Sequence, residues 1–251
     1  MSSPRVSTAA MLAIGDELLS GRTKDKNIGQ LADVLFLAGI DLKEVRIVGD
    51  DEEAIVAALN ALRARYTYVF TSGGIGPTHD DITADAVSKA FGVPCRHDPK
   101  AMELMGAMYA RRGMEFNEAR QRMARMPEGA AHIPNSVSTA PGFTIGNVHV
   151  MAGVPQVFTA MLSAVVPTLE GGVPMLSRSV ASPFGEGDIG TALTAIQKNH
   201  PETSIGSYPR FDGNRFSTEI VIRSREEAPA AAAERDILAM IAEIATAKAG
   251  S

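Results

Sequence analysis

The sequence predicts an α/β fold: a three-layer arrangement in which helices cover both faces of a parallel sheet, followed by a small α+β domain. Three observations predict it. From Thr8 to Leu169, short apolar runs alternate with segments of helical spacing, the pattern of strands joined by crossover helices. Glycine-rich loops sit where strands hand over to helices. Beyond Gly171-Gly172-Val173-Pro174 the pattern changes, and a Gly/Pro cluster of that kind reads as a linker. The expected domains are therefore 1–171 and 172–251.

The elements follow in order. Thr8 to Ile14 is an apolar run closed by Gly15 and reads as a buried strand. Asn27 to Ala38 places Ile28, Leu31, Leu35 and Ala38 at helical spacing, with Gly39 as the C-terminal stop. Asp41 to Val48 sets Leu42, Val45 and Ile47 among charges and reads as a strand. Asp50 to Arg65 opens with acids and closes with Arg63 and Arg65, the charge order that suits a helix dipole. Tyr66 to Thr71 is the next strand, and Ala84 to Phe91 a helix capped by Thr83 and stopped by Gly92. Pro99 to Arg125 is helical in pattern but broken at Gly113, so two helices are expected. Pro127 to Ala152 reads as short strands and turns ending in the strand Val148–Met151, and Pro155 to Leu169 as a helix. After the linker come a strand at Ser177–Ala181, a helix at Asp188–Asn199, strands at Ser204–Tyr208 and Arg215–Arg223, and an Ala-rich helix at Ala228–Ala247.

Composition narrows the function classes. The 251 residues are 45% hydrophobic and 21% charged, enough apolar mass for one large core or two smaller ones. A net charge of -5 without a run of Lys and Arg argues against a general nucleic-acid binder. The single cysteine, Cys95, cannot form an intrachain disulfide and reads as a small packed residue. No apolar stretch reaches the roughly 18 residues that span a bilayer, and Met1 to Thr8 lacks the apolar core of a signal peptide. A cytoplasmic protein with no membrane partner is expected.

The segment that carries chemistry runs from Thr71 to Thr83, through Ser72, Gly73, Gly74, Ile75, Gly76, Pro77, Thr78, His79, Asp80, Asp81 and Ile82. It follows a predicted strand and precedes a predicted helix. Its glycines allow a tight reversal and close approach of backbone amides to an anion, and a helix N-terminus adds partial positive charge. Asp80 and Asp81 are hard oxygen donors suited to Mg²⁺ or a similar divalent cation. Taken as isolated chemistry, the same residues also describe a tight turn whose acids support a helix start. The spacing is neither a Walker A motif nor a Rossmann GxGxxG. A second segment, Gly15-Asp16-Glu17-Leu18-Leu19-Ser20-Gly21, with Asn27 opening the next helix, also follows a strand. So does a third, Met151-Ala152-Gly153-Val154-Pro155. Loops that leave the carboxyl ends of parallel strands converge, so Asp16 and Glu17 are expected to face Asp80 and Asp81 across one pocket. An acidic turn and a plain Pro-initiated helix are the ordinary readings of these two segments. The five histidines form no HExxH or Cys/His cluster, which argues against zinc.

Together the segments carry a resemblance. Thr71 to Asp85 looks like the Thr-Gly-Gly-x-Gly-Pro…Asp signature of the molybdopterin-binding family that includes molybdopterin adenylyltransferases. Gly15 to Gly21 is closer still to the N-terminal domain of the competence/damage-inducible CinA family, as are Ala140-Pro141-Gly142-Phe143 and Gly206-Ser207-Tyr208-Pro209. One departure is Ala152, where the family usually carries proline. The resemblance implies a molybdenum-cofactor-biosynthesis-like domain followed by a small KH-like α+β domain. The GXXG clamp of nucleic-acid-binding KH domains is not evident between Gly185 and Arg223. No C-terminal amidase domain is recognisable within these residues, so nicotinamide-nucleotide deamidation is not expected.

The resemblance further implies a phosphate-bearing nucleotide or pterin as ligand, with metal-dependent cleavage of ADP-ribose-like pyrophosphates favoured. Molybdopterin binding or adenylyl transfer is the alternative, and non-catalytic binding a third. On the favoured reading Asp80, Asp81, Asp16 and Glu17 serve catalysis, with Asp80 and Asp81 holding the metal. Gly73, Gly74 and Gly76 cradle phosphate, Ser72 and Thr78 donate hydrogen bonds, and Gly15, Asn27, Pro77, Gly153 and Pro155 complete the site. A homo-oligomer is expected.

Overall fold

The computed structural model describes residues 6–211, 213 and 216–249. It divides into two compact units, Met1–Gly172 and Val173–Ser251. The first contains, in order, β1 (Thr8–Ile14), α1 (Asp16–Leu19), α2 (Asn27–Leu37), β2 (Asp41–Val48), α3 (Glu52–Arg65), β3 (Tyr68–Ser72), α4 (Thr83–Phe91), β4 (Cys95–His97), α5 (Pro99–Arg111), α6 (Glu118–Gln121), β5 (Arg125–Pro127), β6 (Ala131–Ile133), β7 (Gly142–Ile145), β8 (Val148–Met151) and α7 (Pro155–Val165). The second contains β9 (Leu176–Ser182), α8 (Glu186–Asn199), β10 (Ser204–Phe211), β11 (Phe216–Ser224) and α9 (Glu227–Ala249).

The main sheet of the first unit has the order β2-β1-β3-β8-β7-β6. Successive side chains of β1 point to opposite faces, and both faces are covered. Ala10, Leu12 and Ile14 join a core with Ile55, Leu59 and Leu62 of α3 and Val87 of α4. Ala9 and Met11 join another with Leu31 and Leu35 of α2 and Phe158 and Leu162 of α7. Burial on both sides is why β1 reads as an unbroken apolar run rather than an alternating one.

The sheet is mixed, not wholly parallel. β2, β1, β3 and β8 run parallel, but β7 runs antiparallel to β8, and β6, antiparallel to β7, turns back to the direction of β8. The cause is local: only Gly146 and Asn147 separate β7 from β8, and Gly146 has φ 56. A two-residue link with positive φ closes a hairpin and leaves no room for a crossover.

Three other expectations need correction. Thr83 is not the cap of α4; it is the first helical residue, Ile82 precedes it as N-cap, and no side chain caps that end. Between Pro99 and Arg125 the two expected helices occur on either side of Gly113 (φ 62), with α5 stopping before it, but the helical stretch does not reach Arg125. The single turn of α6 follows, capped by the Asn117 side chain, and then a 3-10 turn at Arg122–Ala124. Arg125 begins β5, which pairs with β4, a ribbon of two three-residue strands. The helix expected to reach Leu169 gives way at Val166–Thr168 to a 3-10 turn that contains Pro167.

In the second unit, β10-β11-β9 form an antiparallel sheet. Val180, Ile220 and Ile222 meet Ile189 and Leu193 of α8 and Ala233, Ile237 and Met240 of α9. Arg215, the expected start of one strand, lies outside the described residues. The GXXG spacing does occur by letter, at Gly187-Asp188-Ile189-Gly190, but inside α8 and with Ile189 fully buried, so it does not form an exposed clamp loop. Among the described residues no helix is long and apolar enough to cross a membrane.

Candidate functional site

The four parallel strands end together. Register pairs Ile14 with Val48, Ala13 with Ser72, and Ser72 with Met151, so the loops that follow emerge on one edge, where open α/β sheets bind ligands. Those loops are stitched to one another. The Gly15 N–H donates to the Val48 carbonyl at 3.0 Å and the Gly73 N–H to the Met151 carbonyl at 3.1 Å. The Asp16 N–H donates to Asp50 Oδ2 at 3.0 Å, and the Asp50 N–H returns a bond to Asp16 Oδ1 at 3.3 Å. Asn27, at the start of α2, donates through Nδ2 to Ser72 Oγ at 2.7 Å and to the Gly153 carbonyl at 2.8 Å. One side chain thereby ties the first, second and third signature segments together.

The glycines of the loop after β3 are required by the protein before any ligand arrives. A Cβ on Gly73 (φ 109) would lie 2.1 Å from the Ile14 carbonyl oxygen, and one on Gly74 (φ 66) would lie 2.1 Å from Thr83 Oγ1. Thr83 holds this turn from the far side. Its hydroxyl donates to the Gly73 carbonyl at 3.0 Å and its N–H to the Gly74 carbonyl at 3.0 Å. The threonine expected as a helix cap is thus a clamp on the glycine turn. Further along, Asp81 Oδ2 accepts from the Thr78 N–H at 2.8 Å and the Thr78 hydroxyl at 2.6 Å. A Cβ on Gly76 would lie 2.6 Å from that same oxygen.

The loops enclose a cavity of about 540 Å³, within the range of small-molecule sites. Of the predicted residues, Glu17, Gly73, Gly74, Gly76, Pro77, Asp81, Gly153 and Pro155 line it. Ile75, Met123, Val157 and Met161 give it an apolar wall, and Thr23 and Ser138 add hydroxyls. A smaller cavity of about 60 Å³ shares Glu17, Thr23, Gly153 and Pro155 with it and is lined in addition by Asn27 and Ser72. Gly15, Asp16, Thr78 and Asp80 line neither. Asp16 is spent on the loop-to-loop exchange with Asp50, and the Thr78 hydroxyl on Asp81, so Thr78 is not a free donor. The His79 side chain is 99% exposed and belongs to the solvent face.

Electrostatics separates the acids. Asp80 is held below the ordinary carboxylate value by hydrogen bonding from the Thr78 side chain and its own backbone N–H, with His79 adding to the effect. One hydroxyl donates one proton, and the 2.6 Å geometry assigns it to Asp81. Asp50 moves the other way. Burial raises its pKa, the bond from the Asp16 backbone opposes the rise, and the charges of Asp16, Glu17 and Asp80 reinforce it. Asp50 therefore feels three other carboxylates at this edge. Yet among the described residues no three His, Cys, Asp or Glu side chains stand close enough to hold a metal ion.

Several residues of the site had no clear signal in the sequence. Asp50 meets Asp16 only because β1 and β2 are neighbours. Arg122 donates through Nη2 to the Asp81 carbonyl at 3.3 Å from a turn that looked like helix. Asn135 organises the loop that brings Ser138 to the cavity: its Oδ1 accepts from the Val137 and Ser138 N–H groups at 3.0 and 2.7 Å, and its Nδ2 donates to the Ala140 carbonyl. Thr139, between two lining residues, has φ 67, a rare conformation for a β-branched residue and a mark of local constraint. The Pro-Asn-Ser triplet at 134–136 is the cue, since Asn folds turns through its own side chain.

A three-layer α/β domain whose parallel strands end on a cavity walled by glycine amides and carboxylates is a small-molecule binding domain. Residues 10–171 match the family described as "Probable molybdopterin binding domain", and the chain belongs to that family. Residues 174–249 match a second family, "FAD synthase, middle domain". A protein of Pyrobaculum calidifontis is 34% identical over 212 residues, covering 81% of each chain. A CinA-like protein of Desulfosudis oleivorans is 35% identical over 214 residues, 81% of this chain and 52% of its own. The chain thus spans about half the length of that relative. Among solved structures, the protein CinA of Thermoplasma acidophilum, described as of unknown function, superposes with a TM-score of 0.60 at 30% identity, over 65% of this chain and 98% of that one. Within its family the chain is CinA-like.

Proposed function

We propose that the larger cavity binds a phosphate-bearing nucleotide and that the chain hydrolyses a pyrophosphate of the ADP-ribose kind with a divalent cation. One observation carries this reading. The backbone of Gly73, Gly74 and Gly76 and the carboxylates of Glu17 and Asp81 line the same cavity. Amides favour an anion, while two carboxylates beside a phosphate repel it unless a cation intervenes. The donors fit a magnesium-like ion, because they are hard oxygens and such ions are commonly held by one or two carboxylates completed by substrate phosphates. Among the described residues too few ligands gather to hold an ion before the substrate arrives, so metal and nucleotide should bind together. Asp81 and Glu17 would hold the cation, which when bound neutralises phosphate charge and activates water. The Thr78 bonds fix Asp81 Oδ2 and orient the carboxylate. Arg122 holds the Asp81 backbone from behind. The match of the second unit to a FAD synthase domain supports a dinucleotide reading, since FAD itself contains a pyrophosphate.

A second reading is binding of a pterin such as molybdopterin. The family description and the apolar wall of Ile75, Met123, Val157 and Met161 favour it. The test is hydrolysis of ADP-ribose followed by product analysis across a magnesium titration. The expected products are AMP and ribose 5-phosphate. Asp81→Asn should lower metal-dependent turnover by roughly 10²-fold, the scale for loss of a charge-stabilising group. Asp85→Asn should leave it near the parent value, because Asp85 is engaged with Arg125 (Oδ2 to Nη1, 3.0 Å). Turnover that ignores metal would overturn the mechanism, and saturable pterin binding with no turnover would select the second reading.

A further inference from the structure

We propose that Lys24 and Lys26 hold the phosphate that leaves when the pyrophosphate is cut, while the cation on Glu17 and Asp81 serves the phosphate that is attacked. This rests on the hydrolysis reading above and gives two further residues a part in it.

The segment that joins α1 to α2 is fixed at both ends. The Thr23 N–H donates to the Glu17 carbonyl at 3.0 Å, which folds the segment back onto α1. Asp25 Oδ1 accepts from the Ile28 N–H at 2.8 Å, which ties it to the first turn of α2 and commits that carboxylate to the backbone. Lys24 and Lys26 flank Asp25 and are exposed. Among the described residues their side chains make no ion pair, although Asp16, Glu17, Asp50 and Asp80 stand at the same edge and the chain carries a net charge of -5. Both lysines line the cavity of about 60 Å³, and Glu17, Thr23, Gly153 and Pro155 line that cavity and the larger one alike. Two uncommitted cations therefore border the space that the glycine turn and the metal-binding carboxylates enclose. An exposed lysine carries its charge on a flexible four-carbon stem, which lets the ammonium swing to an anion once one is bound.

The reaction itself calls for such cations. Hydrolysis of a diphosphate diester forms a bond from the water oxygen to the attacked phosphorus and breaks the bond from that phosphorus to the bridging oxygen. The bridging oxygen departs on the other phosphate and keeps the electron pair. Both products are phosphate monoesters, and above their second pKa, about 6, both protons of the water pass to solvent. The leaving phosphate thus goes from one negative charge to two as the bond breaks. A cation held by Glu17 and Asp81 is placed for the attacked phosphate and its water, and the charge gained on the leaving group needs a separate partner. Positive charge that meets negative charge only as it develops lowers the barrier, whereas charge that meets the ground state equally well only tightens binding.

Steady-state hydrolysis of ADP-ribose at saturating magnesium tests the proposal, with the full chain, Lys24→Met, Lys26→Met and the double variant, each checked for fold by circular dichroism. Each single change should lower kcat by about tenfold, less than the loss of a fully enclosed donor, and the pair by roughly 10²-fold. KM should move less than kcat. The deficit should shrink in 1 M KCl, where the Debye length falls from about 10 Å to about 3 Å, and Lys→Arg at either position should restore most of the rate. Arg22→Met is the control: it removes the same charge from the same segment but lines neither cavity, and its kcat should stay within about twofold of the parent. Should the double variant not fold, the single variants decide. A rise in KM with kcat intact overturns the proposal and leaves the lysines as attractors of the ligand. A loss that ignores salt assigns them to the loop's structure, and an equal loss in Arg22→Met assigns the effect to net charge; either result also overturns it. In all three cases the hydrolysis reading stands. If the parent turns over nothing at any magnesium concentration, that reading falls and takes the role of the lysines with it.

Discussion

Two glycine-rich segments, one in each unit, look alike as sequence and differ in what surrounds them. In the turn after β3, a side chain on Gly73 or Gly74 would strike atoms only 2.1 Å away. At the start of α8, a side chain on Gly187 or Gly190 would meet nothing within 4 Å. The first pair is dictated by a backbone folded against β1 and clamped by Thr83. The second pair is simply tolerated on an exposed helix face. Glycine spacing alone therefore does not define a site. Atoms packed where a Cβ would go mark a glycine the fold requires, which separates Gly73 and Gly74 from Gly187 and Gly190; Gly142 and Gly171 are required in the same way, against the Val150 and Ala38 carbonyls.

The sharpest way to break this comparison is Gly73→Ala. The new methyl meets a backbone oxygen that no rotamer can move, and φ 109 is unfavourable for any L side chain. The expected loss is roughly 3 kcal/mol, the upper range for a strained residue, measured by urea denaturation of the full chain. A loss below about 1 kcal/mol would mean the turn can relax. Substitution at Gly74 should not leave a folded protein that merely lacks ligand affinity, because the obstacle is Thr83 and not the ligand.

Much of this was legible in the sequence, and the divide is physical. β1 and β2 both occupy the residues expected of them, but only in β1 does burial on both faces write itself into consecutive residues; in β2, Val45 and Ile47 of the apolar pattern are exposed. The three loop segments were legible as strand-to-helix junctions, so Glu17, Gly73 and Asp81 could be nominated together. What stayed hidden depends on contacts distant in sequence. β4 and β5 are three residues each and exist only as a pair. Asp50 joins Asp16 across 34 residues. The Thr83 hydroxyl turns back ten residues to Gly73, whereas a helix-start threonine ordinarily faces its own helix. Local pattern carries no information about such pairings. The Gly146-Asn147 hairpin, by contrast, was readable and is what makes the sheet mixed.

Acid sharpens the comparison from another side. His149 of β8 is buried against Phe70 and Tyr68, with Nδ1 2.9 Å from Thr144 Oγ1. Burial lowers its pKa from 6.5 to about 4. In the second unit His200 is paired instead, with Nε2 2.7 Å from Asp236 Oδ2. The sign for His149 follows from linkage. Between pH 6.5 and 4 the unfolded chain binds a proton that the folded chain excludes. The neutral form's stability is fully present above pH 6.5 and is lost as pH falls toward 4. At pH 5 the loss is about 2 kcal/mol. Urea denaturation at pH 7 and pH 5 should show it in the parent, and His149→Gln, which keeps a partner for Thr144 without titrating near these pH values, should flatten the difference. An unchanged pH dependence in that variant would assign the acid sensitivity to other groups.

The smallest expected effect has the opposite sign and tests the other half of the comparison. Gly190 lies inside α8 on an exposed face, and its carbonyl already accepts from the Thr194 hydroxyl at 2.8 Å. Alanine there adds a methyl in open space and removes backbone freedom from the unfolded chain. Gly190→Ala should therefore stabilise the second unit by about 0.5–1 kcal/mol, the ordinary gain of alanine over glycine within a helix. In a unit of this size that corresponds to a rise in melting temperature of a few degrees, on the order of 4 °C. Ligand affinity in the first unit should not change. A destabilised variant would show that the glycine of the Gly-Asp-Ile-Gly run is constrained after all, by a backbone approach that the fold of α8 does not explain, and the distinction between required and tolerated glycines would fail at the position where it is easiest to measure.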